Sequence, residues 1–82
     1  MDCIKLLRTI QNHPFTYLLY EEAFADRKGY TVAILGKENQ FAYATDVTDD
    51  QDVAERFIKL ISEGGLAPCH LHDVLEDMLP LS

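Results

Sequence analysis

The sequence predicts an α+β domain: an antiparallel β-meander of three to four strands followed by two helices packed on one sheet face. Three observations carry this. Runs rich in aromatic and other extended-favouring residues occupy about 15–24, 30–36 and 41–47. Helical periodicity is confined to the residues after them, about 49–63 and 68–79. The segments between the strands are short and polar, which makes consecutive strands antiparallel neighbours.

Residues 3–10 fit two templates. Cys3, Leu6, Leu7 and Ile10 form a helical stripe, whereas Ile4, Leu6 and Ile10 share one strand face that Arg8 interrupts. The segment is read as a first strand, with the helix left open. Asn12-His13-Pro14 makes the next turn, because Asn tolerates unusual backbone angles and a residue before Pro is pushed out of the helical region. DRKG (26–29) and GKEN (36–39) supply the Gly or Asn that a hairpin loop needs.

In the middle strands both faces are apolar. Tyr17 and Leu19 oppose Leu18 and Tyr20, and Val32 and Ile34 oppose Ala33 and Leu35. A sheet with one solvated face alternates more cleanly. Two helices cover one face, so the other predicts a homodimer through the sheet, unless residues 3–10 are a helix that covers it or the C-terminal Leu81 does.

Thr48-Asp49-Asp50-Gln51 reads as a capping box, with Thr48 accepting from the Gln51 amide. Val53, Ala54, Phe57, Ile58 and Ile61 give the first helix its apolar face, and Gly64-Gly65 ends it in a left-handed cap. Pro68 suits the first position of the second helix, Leu66 and Leu71 sit at staple spacing, and Pro80 stops the helix. Its apolar stripe is Leu71, Val74, Leu75 and Met78. The predicted helix contribution to the core is therefore Phe57, Ile58, Ile61, Leu71, Val74, Leu75 and Met78.

Eighty-two residues make a single domain over 1–82, with one core and modest stability, which a second copy would raise. The net charge is −7, and all of it lies in residues 46–82, where nine acids face only Arg56 and Lys59. Such a field disfavours nucleic acid and anionic membranes and favours a basic protein partner. Asp73, Glu76 and Asp77 are the candidate partner-binding residues, since they place negative charge in the second half of a helix whose dipole prefers cations there. The competing reading is that a basic side chain from elsewhere in the fold neutralises them.

Cys3 and Cys69 are too few for a disulfide framework, and no leader or spanning run is evident, so the expectation is a soluble, cytoplasmic protein. Cys69, His70, His72 and Asp73 are metal-capable and suggest metal or small-ligand binding as the alternative function, although their spacing matches no zinc motif. His72 and Glu76 at i, i+4 suit a surface pair better than an acid–base couple. Cys69 and His70 point about 100° apart on a helix. No phosphate-binding loop or nucleophile elbow is present, and the reading is that the chain is not an enzyme and uses no cofactor.

The Tyr-rich strand region, the following helix and the closing segment Pro68-Cys69-His70-Leu71-His72-Asp73-Val74-Leu75-Glu76-Asp77-Met78-Leu79 together resemble a family of small, functionally uncharacterised proteins from Firmicutes, mostly clostridia-like anaerobes. The likeness runs from about Tyr17 to Leu79. It implies that Pro68, His70, Leu71, Asp73, Val74, Glu76 and Asp77 belong to the family pattern. It implies no activity, cofactor or site.

Overall fold

Strand pairing follows chain order. The computed structural model describes residues 3–78, with side chains from Ile4 to Glu76. β1 (Cys3–Asn12), β2 (Phe15–Ala23), β3 (Lys28–Leu35) and β4 (Phe41–Thr48) form one antiparallel sheet in the order β1-β2-β3-β4. Two helices follow on one face, α1 (Gln51–Glu63) and α2 (Leu71–Met78), the second entered through a 3-10 turn over Pro68–His70. Residues 3–10 are thus sheet, and among the described residues no element covers the far face. Pro80 and Leu81, and the side chains of Asp77 and Met78, lie outside the described residues.

Ile4, Leu6 and Ile10 do not share a face, because a bulge at Leu7 breaks the register between Leu6 and Arg8. One extra residue reverses the alternation. Ile10 and Arg8 lie opposite Tyr17 and Leu19 on the helix side, whereas Ile4 and Leu6 lie opposite Glu22 and Tyr20 on the other. Arg8 reaches Glu55 of α1, which confirms its side.

A second irregularity falls in β4, between the pairs Tyr30↔Thr48 and Val32↔Ala44. Asp46 there adopts a left-handed backbone with φ 54°. Ala44 and Val47 consequently both face the core despite their odd spacing. Gly29 is not a loop residue: it sits in β3, where an added Cβ would strike the Asp46 carboxylate and come within 2.8 Å of the Phe24 ring. The β3–β4 turn has positive φ at Glu38 and Asn39, closed by the Gln40 amide donating to the Lys37 carbonyl at 3.0 Å. That is the turn whose twist matches a hairpin.

The cap of α1 differs from the capping box. Asp50 is the N-cap, its carboxylate accepting from the amides of Asp52 at 2.9 Å and Val53 at 3.4 Å. Thr48 instead accepts from the Asp50 amide, and the Gln51 side chain donates to Glu55. A carboxylate two residues closer to the first turn outcompetes a hydroxyl, since it satisfies free amides and meets the positive dipole end. Past Gly64, Gly65 takes φ 65°, the Gly65 amide donates to Ser62 and the Leu66 amide to Ile61. This is a Schellman exit.

Ala54, Phe57, Ile58 and Ile61 of α1 pack over Tyr17, Leu19, Val32 and Ile34, all essentially solvent-free. Leu71 is fully buried, and Val74, Leu75 and Leu66 pack at the margin of this core. α2 and the 3-10 turn lie against β4, while α1 crosses all four strands.

Candidate functional site

The uncovered face of the sheet is built by alternation from the same strands that feed the core. Register places its rows in order along the strands. Ile4, Glu22 and Gly29 make the first row, and Leu6, Tyr20 and Thr31 the second. Thr9, Leu18, Ala33 and Tyr43 make the third, and Gln11, Thr16, Leu35 and Phe41 the fourth. Apolar residues begin at one corner and end at the opposite one. The resulting band runs diagonally from Ile4 and Leu6 across Tyr20 and Leu18 to Tyr43 and Phe41. Its two ends are the most open: Ile4 is 63% exposed, Leu6 50%, and Phe41 and Tyr43 54% each.

Of the remaining corners one is polar and the other mixes polar groups with the Phe24 ring. Thr9, Gln11 and Thr16 fill one. Glu22, which accepts from the Thr31 hydroxyl, and the Arg27–Asp46 pair fill the other. Arg27 also lies 4.6 Å over the Phe24 ring. Its guanidinium, hydrogen-bonded at 2.9 and 2.6 Å, holds the Asp46 carboxyl below its usual range. The face has few charges, and two of them cancel.

The predicted acidic site lies on the other layer. Asp73 and Glu76 are exposed on α2, and among the described residues no Lys or Arg pairs with either. The His70 ring lies 4.0 Å from the Asp73 carboxylate, three residues before it. The reading in which a distant basic side chain neutralises that surface thus finds no support at Asp73 or Glu76, and the side chain of Asp77 lies outside the described residues. The electrostatic premise needs correction for Asp73, which falls in the first turn of α2 because the Pro68–His70 turn is separate. There the dipole favours it, and Glu76 and Asp77 are the acids placed late. Of the acids near the start of α1, Asp49 and Asp52 are exposed, whereas Glu55 is engaged by Arg8, which lowers its pKa.

Cys69, His70, His72 and Asp73 do not converge. Cys69 and His72 border an open cleft of about 590 Å³ at the β4 edge, with Phe41, Tyr43 and Pro68, while His70 and Asp73 do not line it. Among the described residues no three His, Cys, Asp or Glu side chains are placed to hold a metal ion. The metal alternative has no support in this geometry.

Sequence reasoning found both apolar faces of β2 and β3 but not the diagonal. Its ends lie on β1 and β4, where bulges hide the alternation. The signals were the exposed-type aromatics Phe41 and Tyr43 spaced by two in a strand, and Ile4 with Leu6 likewise.

These features define a two-layer α+β domain with one sheet face bare. The chain belongs to a family of unknown function (DUF6514), whose pattern covers residues 4–81. No curated protein and no solved structure matches it. No helix among the described residues is long and apolar enough to cross a membrane.

Proposed function

We propose that this chain is a cytoplasmic protein-interaction module rather than an enzyme, and that the bare sheet face is its main contact surface. The observation that supports this is the contiguous band in which four large apolar side chains, at Ile4, Leu6, Phe41 and Tyr43, are half exposed or more. Apolar patches that extend across a domain are associated with protein contacts. The same proposal keeps the assignment of the family to Firmicutes and clostridia, for which the likeness over Tyr17–Leu79 is the support.

The test is the size of the tagged protein in an extract of the cells it comes from, with and without Leu6→Ser and Phe41→Ser. The expected result is a complex larger than the 9.3 kDa chain that the double variant loses while staying folded. Migration of the native chain as a free monomer in the extract would refute the reading.

A second surface is proposed on α2. Asp73 and Glu76 are exposed without a Lys or Arg partner among the described residues, and with Asp77 they suit a basic protein. This surface lies on the helix layer, away from the bare face, so both can be occupied together. Neutralising Asp73, Glu76 and Asp77 should abolish salt-sensitive capture of that partner and leave assembly through the sheet intact; unchanged capture removes the acidic site.

A further inference from the structure

We infer that the occupant of the bare face is a second copy of this chain, docked band against band about a two-fold axis in the plane of the face. This rests on reading the face as an interaction surface, and it names the partner.

The two faces of the sheet carry different apolar patterns. On the side that α1 covers, the core residues run along the strands, Tyr17 and Leu19 on β2 and Tyr30, Val32 and Ile34 on β3. That is the pattern a helix layer asks for. On the bare side the apolar residues cross all four strands obliquely. A twisted sheet is saddle-shaped, so one diagonal stands proud and the other falls away. Two copies of the same saddle touch along that diagonal with their strands steeply crossed, as in orthogonal sheet packings. A band restricted to one diagonal therefore fits another sheet of the same twist.

Charge supports the same occupant. The chain carries −7, which would set two copies against each other if the charge lay at the contact. The band itself is neutral, and Arg27–Asp46 is internally paired at the corner. Pairing through the bare faces puts both helix layers outermost. Sheets pack about 10 Å apart, so the acidic helices end on the order of 30 Å from each other. That is several Debye lengths at about 8 Å each.

The area is adequate for a reversible dimer. With about 4.8 Å between strands and about 3.3 Å per residue, the face spans on the order of 400 Å². Two such faces, with side-chain relief, remove at most on the order of 1,000 Å² from water. This is the lower bound for a specific interface and suits a dissociation constant in the micromolar range.

Sedimentation equilibrium of the purified chain from about 1 to 200 µM tests the inference. The expected result is a monomer–dimer equilibrium that Leu6→Ser and Phe41→Ser each weaken about tenfold, with unchanged circular dichroism. Leu60→Ser removes an equally exposed leucine on α1 and should leave the equilibrium unchanged. A monomer at 200 µM overturns the inference, as does a dimer indifferent to the band variants. If that monomer dimerises once residues 79–82 are deleted, the chain's own C-terminal end is the occupant and the inference fails equally. A pure monomer whose band is still required for a larger complex in the extract means a different protein occupies it: the second copy is refuted and the interaction module stands. Loss of both refutes both.

Discussion

The Tyr17 hydroxyl donates a hydrogen bond to the Leu66 carbonyl at 2.8 Å, tying the buried middle of the sheet to the turn between the helices. Asn12 adds a second tie, its side-chain amide donating to the Ser62 carbonyl at 2.7 Å. The Ser62 acceptor belongs to the last turn of α1, where carbonyls have lost their helical partners, and the Leu66 acceptor to the turn beyond it. Burial also pushes the Tyr17 phenol up, so it stays a donor throughout the physiological range.

Tyr17→Phe should therefore cost about 1–2 kcal/mol, because it keeps the ring in the core and strands a part-buried carbonyl. Urea unfolding followed by circular dichroism measures it. No change would mean that water reaches Leu66 as readily as Tyr17 does.

The start of α1 yields a prediction that separates two caps. Asp50→Ala should cost about 1 kcal/mol, since the Asp50 carboxylate satisfies two first-turn amides. Gln51→Ala should cost much less, as its side chain serves only Glu55. The reverse ranking in thermal or urea unfolding would restore the capping box on Thr48 and Gln51.

The order of elements was legible because it depends on local grammar. Turn residues at Asn12 to Pro14 and Lys37 to Gln40, and the i, i+3, i+4 repeat in α1, are properties of short windows. The face assignments on β1 and β4 were not, because a single bulge residue reverses parity and nothing in Leu7 or Asp46 announces one. Asp46, left-handed at φ 54°, pairs with Arg27, nineteen residues earlier. The candidate site was half visible for the same reason: Leu18, Tyr20, Ala33 and Leu35 alternate regularly, whereas the ends of the band depend on register. The acidic site depended on where α2 begins, and the 3-10 turn moved that start to Leu71.

Acid should loosen the fold through two pairs. Arg27 lowers the pKa of Asp46 from 3.8, chiefly by hydrogen bonding, and Arg8 with Gln51 lowers that of Glu55 from 4.5. A carboxylate whose folded pKa is depressed stabilises the fold above its unfolded value, and that contribution is lost as pH falls through the folded one. Stability should thus be flat down to about pH 5 and decline below it. Arg27→Gln should make the decline shallower, since the guanidinium that depresses the Asp46 pKa is gone. Urea midpoints between pH 7 and 2.5 decide this, and an unaltered slope would show that the half-exposed Arg27–Asp46 pair is screened by water.

Along α2 the two exposed acids should respond with opposite signs. Asp73 sits in the first turn, where the helix end is positive, and Glu76 sits near the C-terminal end, where it is negative. Asp73→Asn should lower stability by about 0.3–0.5 kcal/mol and Glu76→Gln should raise it by a similar amount, both within the usual range for exposed charges. The two changes remove the same unit of negative charge, so a general relief of repulsion would raise stability in both variants. Opposite signs in matched urea titrations at low salt, converging as salt is added, would place the cause in the dipole of a helix that begins at Leu71. A gain in both variants would mean instead that net charge governs, and that α2 behaves as one helix from Pro68.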